Sequence, residues 1–296
     1  MDDAKLLIVG ANGQLGKALQ KEYPNAKITD RESLDVTAAA KVENFDWSGI
    51  EVVINASAYT NVDGAETEEG RIVAWKVNAV GVANLARATA RRGITLVHVS
   101  SDYVFDGTKS PHTETEDFAP IGVYGQTKAA GDIAASVNPK HYILRTSWVI
   151  GDGPNFVRTM INLAGRDISP KVVSDQIGRL TFADTLVKAI DHLLRTNAEH
   201  GTYNATNDGR AASWADITRT IFKELGRDDL TVADTTTEEY FASKPDIAPR
   251  PLQSEMDLAK IKATGLELRD WEEELHEYVA GELAAANNAN VDEGVA

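Results

Sequence analysis

One tyrosine and one lysine are spaced so that they could act together in proton transfer. Tyr124 precedes Lys128 by four residues, and on a helix this spacing places two side chains on one face, with Cβ atoms about 5–6 Å apart. A nearby ammonium group favours the phenolate form and lowers the pKa of a tyrosine, which is otherwise near ~10. Such a phenol could donate a proton to a ketone oxygen while a hydride arrives at the carbon.

The same spacing also occurs at residues 23–27 and 240–244. The first stretch contains Pro24, which ends a helix, and the second precedes Pro245, which disfavours helical angles at the residue before it. Only the stretch that begins at Tyr124 has no proline within it or directly after it, so it is the one pair that we expect on a single helical turn.

A pair of hydroxyl groups is expected close to Tyr124. The segment "VHVSSDYVFDG", residues 97–107, reads as a buried strand that ends in Ser100 and Ser101. In a parallel sheet the carboxyl ends of the strands face the ligand crevice. A serine at this position could orient the oxygen of a substrate.

A glycine-rich loop follows the first predicted strand. The strand "KLLIVG" runs directly into "GANGQLG", and its glycines recur at every third position: Gly10, Gly13 and Gly16. In this context glycines allow a pyrophosphate to approach the N-terminus of the next helix. Asp30, at the end of the second predicted strand, could bind a ribose hydroxyl, whereas Arg31 could bind a 2′-phosphate. The loop predicts a dinucleotide cofactor and leaves NAD and NADP open.

The elements that must position these residues alternate between strands and helices. Strands are predicted at 5–10, 26–29, 52–57, 95–101 and 141–150, and helices at 14–21, 70–93 and around Tyr124, and later at 155–164, 182–196 and 213–226. This order predicts an α/β protein with a Rossmann-type, doubly wound parallel sheet and a smaller C-terminal substrate-binding domain. We expect residues 1–151 to form the NAD(P)-binding domain, with 172–203 returning to it. We expect 152–171 and 204–283 to bind substrate and 284–296 to be a disordered tail.

Composition excludes several classes of function. The net charge of −15 argues against nucleic acid as a partner, because an acidic chain repels a phosphate backbone. The absence of cysteine excludes disulfides and thiolate metal sites. The acidic N-terminus is unlike a signal peptide, and no stretch is apolar enough to span a membrane. These features predict a cytoplasmic protein that binds neither nucleic acid nor membrane.

The motifs resemble those of the extended short-chain dehydrogenase/reductase superfamily, and within it the dTDP-4-dehydrorhamnose reductase family. Eight blocks occur in the order typical of that family: "GANGQLG", "VVINASAYTNVDGAE", "VNAVGVANLA", "SSDYVFDG", "VYGQTKAAGD", "LRTSWVIGDGPNFV", "VVSDQIG" and "RPLQSEMD". The resemblance implies reduction of the 4-keto group of a nucleotide-linked 6-deoxy sugar by NADPH or NADH. The reaction implied most directly converts dTDP-4-dehydro-L-rhamnose to dTDP-L-rhamnose.

The resemblance also implies roles for individual residues. Tyr124 would donate the proton, Lys128 would hold the nicotinamide ribose, and Ser101 would bind the ketone oxygen. The cofactor would be held by Gly10, Gly13, Gln14, Leu15, Gly16, Asp30, Arg31, Asp35, Ala56, Ser57, Ala58, Tyr59, Asn78 and Lys128. The substrate would contact Ser101, Asp102, Tyr103, Tyr124 and Trp148.

Four positions depart from the family pattern. Leu180 replaces a proline, Ala129 and Asp132 stand where leucine and glutamate are common, and Ser57 replaces an alanine. Leu180 leaves the exact sugar preference open. Some relatives bind a metal at a dimer interface, but no motif here identifies metal ligands, so we predict no metal site and consider a homodimer possible.

Two other functions remain open from the sequence. One is a reductase or epimerase that acts on another nucleotide sugar. The other is a catalytically silent NADP-binding regulatory subunit on the same fold, although the presence of Tyr124, Lys128 and Ser101 together argues against it. Smaller signals are His98, which we expect to be a core residue, and three candidates for binding the substrate diphosphate: Arg158, Arg179 and Arg250.

Overall fold

The structure is a computed structural model that describes residues 2–242 and 247–293, with the side chains of 286–293 left out. Its strands are β1 (Leu6–Val9), β2 (Lys27–Thr29), β3 (Val52–Asn55), β4 (Thr95–Val99), β5 (His141–Arg145), β6 (Val149–Ile150), β7 (Lys171–Val173), β8 (Ile177–Gly178), β9 (Thr181–Phe182), β10 (Gly201–Asn204), β11 (Ala212–Ser213) and β12 (Ala233–Thr235). Its α-helices are α1 (Gln14–Glu22), α2 (Ala39–Glu43), α3 (Glu68–Trp75), α4 (Val82–Arg92), α5 (Val123–Ala135), α6 (Phe156–Ala164), α7 (Ala183–Arg195), α8 (Trp214–Glu224), α9 (Thr237–Phe241), α10 (Ala259–Ala263) and α11 (Trp271–Glu293).

The main sheet has six parallel strands in the order β10-β5-β4-β3-β1-β2. All four residues of β1 and of β3 are buried, as expected for strands that helices cover on both faces. One apolar core includes residues of α1 and α7, and a second includes residues of α2 and α4 on the other face. The predicted Rossmann-type, doubly wound fold is confirmed.

The strand order reverses between β1 and β3, which creates a crevice at their carboxyl ends. The chain leaves β1 into the glycine loop and leaves β3 into residues 56–59. Ligands of doubly wound sheets bind at such a switch point. The sheet therefore brings together the loop and the β3 segment that the sequence assigned to cofactor binding.

Two predicted elements are interrupted in the structure. The helix predicted at 70–93 consists of α3, a π-helical turn over Lys76–Gly81 and α4. It ends at Gly93 in a left-handed conformation with φ of 67°. The strand predicted at 141–150 splits into β5 and β6, because β6 leaves the main sheet and pairs with β9.

The later part of the chain forms its own apolar core from α6, α8 and α11. Helix α8 begins with a capping box, in which Ser213 and Asp216 each accept a hydrogen bond from the other's backbone N–H. In contrast, α7 packs on α1 and β10 joins the main sheet beside β5. Elements from after residue 180 thus complete the nucleotide-binding layer.

The C-terminal end differs from the disordered tail expected at 284–296. Helix α11 continues through Glu293, and residues 294–296 lie outside the described residues. The segment from 284 begins with three alanines, and alanine has the highest helix propensity, which favours continuation of the helix. No helix in the described part of the chain is long and apolar enough to cross a bilayer.

Candidate active site

Helix α5 carries Tyr124 and Lys128 on the face that is turned toward the sheet. The side chain of Lys128 is almost fully buried, and its Nζ donates a hydrogen bond of 2.7 Å to the carbonyl oxygen of Val99 at the end of β4. Glycines make this close packing possible, because a Cβ on Gly125 would clash with the carbonyl of Tyr103. The predicted pair therefore occupies one helical turn directly beside the serine segment.

Tyr124 is a half-buried phenol at the mouth of this site. Its ring meets the ring of Tyr103 edge-on, with centroids 5.5 Å apart. Burial raises the pKa of Tyr124 to about 12, the negative charge of Asp102 adds to this effect, and the Ser101 hydroxyl opposes it. Burial thus outweighs the lowering of the pKa that we expected from Lys128, and this phenol keeps its proton at neutral pH.

Lys128 also has a shifted pKa. Burial lowers the pKa of its ammonium group to about 8, and the carboxylate of Asp132, four residues later on α5, opposes the shift. The ammonium group is therefore poised close to physiological pH, which is a frequent property of functional lysines.

Ser101 and Asp102 follow β4 and face Tyr124. The Ser101 hydroxyl donates a hydrogen bond of 3.0 Å to Asp102 Oδ1 and accepts one of 3.2 Å from the backbone N–H of Tyr103. Asp102 is 3% exposed, and burial raises the pKa of its carboxyl group to about 6. Its Oδ2 is buried without a geometric hydrogen-bond partner among the described residues, and the hydroxyls of Ser254 and Ser101 oppose the rise in the pKa.

The glycine loop has the shape that a pyrophosphate needs. Gly10 has a φ of 86°, and a Cβ there would lie 2.6 Å from the backbone nitrogen of Ser57. Gly13 is the N-cap of α1 and offers no side-chain cap, and a Cβ on it would approach only the Gly10 carbonyl, at 3.6 Å. The space beside Gly13 at the start of α1 is therefore open, which fits a dinucleotide.

The next two residues of α1 have different environments. Leu15 packs its side chain into the apolar core, so only its backbone is available to a cofactor. The side chain of Gln14 donates to the carbonyl of Pro154, and its Oε1 is buried without a partner in the described chain. A Cβ on Gly16 would clash with the Gly10 carbonyl, so this glycine serves the turn itself.

The two acidic candidates near the end of β2 accept hydrogen bonds from their own turns. Asp30 Oδ1 accepts hydrogen bonds from the backbone and hydroxyl of Ser33, and these bonds lower the pKa of its carboxyl group. Asp35 Oδ1 accepts from the hydroxyl of Thr37 at 2.7 Å, which lowers its pKa in the same way. Arg31 is exposed beside Asp30. This edge therefore offers a carboxylate to a ribose hydroxyl and a guanidinium group to a 2′-phosphate.

The segment after β3, which includes Ala56, Ser57 and Ala58, is fixed by its polar neighbours. The Ser57 hydroxyl donates to Asn55 Oδ1 at 2.6 Å. Asn78, in the π-helical turn, accepts from the backbone N–H of Tyr59 at 2.8 Å and donates to its carbonyl and to the Thr127 hydroxyl. The Asn78 amide therefore ties the β3 segment to α5, and its side chain is almost fully buried.

Trp148 lies at the break between β5 and β6 in a strained backbone conformation, with φ of 46°. Its ring stacks on Trp214 at a centroid distance of 3.8 Å, and a Cβ on Gly178 would lie 3.1 Å from it. The indole of Trp214 in turn donates to Gln176. Trp214 and Gln176 were missed from the sequence, where the tryptophan reads as one more residue of an amphipathic helix.

Of the three arginine candidates, Arg250 is the one whose loop borders Tyr124. It forms an ion pair of 2.6 Å with Asp63, and Pro249 and Pro251 beside it line a small cavity with Tyr103 and Tyr124. The other two are paired with acids elsewhere, Arg158 with Asp152 and Glu282 and Arg179 with Glu255.

The family model described as the RmlD substrate binding domain matches residues 4–283 of this chain. The chain belongs to the RmlD family. A dTDP-4-dehydrorhamnose reductase of Aggregatibacter actinomycetemcomitans is 39% identical over 293 residues, which cover 92% of this chain and 97% of that protein. The family predicted from the sequence motifs is confirmed.

Two further relatives bear on the chemistry of this RmlD-family chain. A probable dTDP-4,6-dihydroxy-2-methyloxan-3-one 4-ketoreductase of Streptomyces antibioticus is 37% identical, with 94% of this chain and 96% of that protein covered. The crystal structure of a dTDP-4-dehydrorhamnose reductase from Bacillus anthracis in complex with NADP superimposes with a TM-score of 0.85. It is 35% identical, with 93% of this chain and 98% of that one covered.

Metal binding was not predicted for this RmlD-family chain. Within residues 2–242 and 247–293, no three histidine or acidic side chains are grouped so that they could hold a metal ion.

Leu180, the departure from the family proline, is fully buried in the core of the later part of the chain. Its effect on a substrate would therefore pass through the neighbouring strands β8 and β9.

Proposed function

We propose that this chain reduces the 4-keto group of a nucleotide-linked 6-deoxy sugar with NADPH or NADH, and that its substrate is dTDP-4-dehydro-L-rhamnose, which it converts to dTDP-L-rhamnose. The observation that carries the proposal is the cluster at the ends of β4 and α5: a protonated phenol, a buried ammonium group and a hydroxyl around one crevice. The dTDP-4-dehydrorhamnose reductases among its relatives support the choice of sugar.

Each residue of the cluster has a role in that reaction. The nicotinamide cofactor, when bound, supplies the hydride to C4 of the sugar. Tyr124 donates its proton to the oxygen at C4. The Ser101 hydroxyl turns from Asp102 Oδ1 and donates its hydrogen bond to the same substrate oxygen. The charge of Lys128 stabilises the phenolate that Tyr124 leaves behind.

The remaining candidates divide between cofactor and sugar. The glycine loop and the backbone N–H groups of Gln14 and Leu15 hold the pyrophosphate, residues 56–59 run along the cofactor, and Asp30, Arg31 and Asp35 meet its adenosine end. Asp102 Oδ2 accepts a hydrogen bond from a sugar hydroxyl. Tyr103 and Trp148 contact the sugar nucleotide, and Trp148 does so in the position that Trp214 gives it.

We also propose a division of labour along the chain. Residues 1–151, with 172–203, bind the cofactor, and 152–171 with 204–283 cover the sugar nucleotide. A cytoplasmic location and no binding to nucleic acid follow from the composition, as argued above. A homodimer is supported by exposed apolar side chains, namely Ile72 on α3, Ile133 on α5 and Val137 just after α5. Gel filtration with light scattering would test it.

A second candidate is the reduction of another nucleotide sugar. The 37% identical ketoreductase of Streptomyces antibioticus has a different substrate in its name, and Leu180 replaces the proline typical of the rhamnose enzymes. A panel of nucleotide-linked keto sugars would separate the two functions, because the catalytic cluster is compatible with both.

The direct test follows the absorbance of NADPH and of NADH in separate reactions. The substrate is made in place from dTDP-4-keto-6-deoxyglucose and a 3,5-epimerase, and omission of the epimerase is the control. Oxidation that depends on the epimerase supports the rhamnose reaction, whereas oxidation without it indicates a different sugar. Cofactor binding with no turnover of any sugar would favour a silent regulatory subunit.

A further inference from the structure

A buried polar cluster lies beneath Lys128 and is not explained by the roles assigned above. Asp132, 2% exposed, follows Lys128 by four residues on α5, so that Tyr124, Lys128 and Asp132 form one stripe. Asp132 Oδ2 accepts a hydrogen bond of 2.9 Å from Arg145 Nε on β5. Its Oδ1 has no hydrogen-bond partner in the described part of the chain.

Two more buried polar atoms without partners lie beside Asp132 Oδ1. They are Nε2 of His98, which is fully buried on β4, and Oγ of Ser100, which is 4% exposed just after β4. His98 Nε2 is 3.9 Å from Asp132 Oδ1, too far for a direct hydrogen bond. Burial raises the pKa of the Asp132 carboxyl group, and the charge of Arg145, the nearby Ser100 hydroxyl and the charge of Lys128 oppose this shift.

The hydrogen bonds on the other side of His98 fix its tautomer. Asn55 Oδ1 accepts from the backbone and the hydroxyl of Ser57, so Asn55 Nδ2 is the donor in its 3.1 Å contact with His98 Nδ1. Nδ1 is therefore an acceptor, and the proton of the neutral ring is on Nε2. Burial lowers the pKa of His98 well below its usual range, and the charge of Lys128 adds to this effect, so the ring stays neutral.

Three such atoms in one buried cluster match the requirements of a buried water. A buried water typically makes about three hydrogen bonds to polar groups that otherwise lack partners. Here it would accept from His98 Nε2–H and from the Ser100 hydroxyl and donate to Asp132 Oδ1. A contact longer than about 3.5 Å between two polar atoms is where a bridging water is expected.

We propose that Asp132 is a positioning residue for Lys128, and that a buried water shared with His98 and Ser100 holds the Asp132 carboxylate where its charge keeps the Lys128 ammonium protonated. The cluster also connects the cofactor side to the catalytic side, since it runs from Ser57 through Asn55 and His98 to Asp132. The inference rests on the proposed function, because it assigns Lys128 the role given there.

The titratable groups around this stripe lie on the elements packed against it. In the described chain the neutral ones are Tyr124 on α5 and His98 on β4, and Asp102 after β4 and Arg145 on β5 supply a carboxyl group and a positive charge. The guanidinium carbon of Arg145 lies over the rings of Phe105 and Phe118, at 5.2 and 4.9 Å from their centroids. Arg145 favours the ionised form of Asp132, and that carboxylate is the one group here that raises the pKa of Lys128.

The test compares Asp132→Asn, which removes the charge and keeps the shape, with Asp132→Glu, which keeps the charge. In Asp132→Asn, the alkaline limb of the pH profile of kcat for cofactor oxidation shifts down by about one pH unit or more. The reason is that loss of a nearby opposite charge lowers the pKa of Lys128, and such a charge changes a pKa by about 1–3 units. The variant loses about tenfold in kcat near pH 8 and much less near pH 6. Asp132→Glu keeps the profile of the unchanged protein. An Asp132→Asn variant that melts at a lower temperature but retains the pH profile would overturn the proposal.

Three further measurements test the proposal if that variant does not fold or if the chain does not turn over. Ser100→Ala removes one ligand of the water and shifts the alkaline limb in the same direction by a smaller amount, and an unchanged limb would contradict the proposal. The pH dependence of NADPH affinity, followed by the cofactor's fluorescence, shows the same shift without turnover. A high-resolution crystal structure shows a water within about 3 Å of all three atoms, and an empty site would overturn the bridge. Absence of turnover in the unchanged protein would refute the proposed function alone.

Discussion

Asp102 is a carboxyl group that the fold buries beside Tyr124 at a cost in stability. The folded protein holds its proton up to about pH 6, whereas the unfolded chain releases it near 3.8. Because the folded state binds more protons in this window, the free energy of unfolding falls as the pH rises from about 4 to 6 and stays reduced above it. A cost of this kind is expected where a group is kept for a ligand rather than for the fold.

Replacing Asp102 by asparagine is therefore expected to stabilise the cofactor-free protein. The free energy of unfolding at neutral pH rises by about 1–3 kcal/mol, since each pKa unit corresponds to about 1.4 kcal/mol, and the gain disappears near pH 4. Denaturant unfolding at the two pH values measures it. The matched control is Asp106→Asn, whose carboxylate accepts from Thr108 and has a lowered pKa, so that substitution gives no gain at neutral pH. A gain that is the same at both pH values would contradict this account of Asp102.

Tyr124→Phe tests the proton donor. Without the phenol, no side chain at the crevice takes over proton donation, and kcat falls by about 100-fold or more, while the affinity for NADPH and the melting temperature change little. Steady-state kinetics and cofactor fluorescence measure the two effects. Tyr142→Phe is the control, because the hydroxyl of Tyr142 bonds to the Ala198 carbonyl away from the crevice. Equal losses in both variants would argue against a role of Tyr124 in catalysis.

At the level of residues, the sequence identified the pair at Tyr124 because proline excludes the other two candidates. It could not identify the partners that are distant along the chain. The stacking of Trp214 on Trp148 and the contact of Asn55 with His98 depend on how strands and helices meet. The ion pair between Asp63 and Arg250, which are far apart along the chain, has the same origin.

At the level of elements, the phosphate loop depends on two glycines for different reasons. Gly10 is required by its positive φ and by the backbone of Ser57 close to it, whereas Gly13 borders open space at the start of α1. We expect Gly10→Ala to lower the melting temperature, because both the φ angle and the contact become strained.

Gly13→Ala, in contrast, is expected to leave the melting temperature within a few degrees of that of the unchanged protein and to weaken NADPH binding by about tenfold, since the new methyl group occupies the space of the pyrophosphate. Thermal unfolding and fluorescence titration separate the two variants. If Gly13→Ala bound NADPH with unchanged affinity, the pyrophosphate could not lie at the start of α1.

The elements themselves were largely predictable from the sequence, because buried parallel strands are short apolar runs and their helices are amphipathic. The interruptions were not. The π-helical turn places Asn78 where it bonds both to Tyr59 after β3 and to Thr127 on α5, and the break after β5 follows from the pairing of β6 with β9. Both are tertiary effects that local propensity does not record.

At the level of the whole molecule, the loop that carries Arg250 connects the later part of the chain to the segment after β3. The ion pair with Asp63 and the backbone bond from Ala248 to the same carboxylate hold this loop against Tyr103 and Tyr124. Asp63→Asn is therefore expected to raise the KM for the sugar nucleotide several-fold and to leave the affinity for NADPH unchanged. Glu272→Gln, which breaks an exposed pair with Arg210, is the control and should change neither. A change in NADPH affinity alone would show that the loop serves the cofactor instead.

The most direct test of the central claim follows the hydride itself. Reduction of dTDP-4-dehydro-L-rhamnose with NADPH that carries deuterium at the transferable position of C4 should give dTDP-L-rhamnose with one deuterium at C4 of the sugar, as read by mass spectrometry and NMR. Tyr124→Phe should give almost no labelled product in the same time. Product without deuterium, or with deuterium at another carbon, would contradict the account.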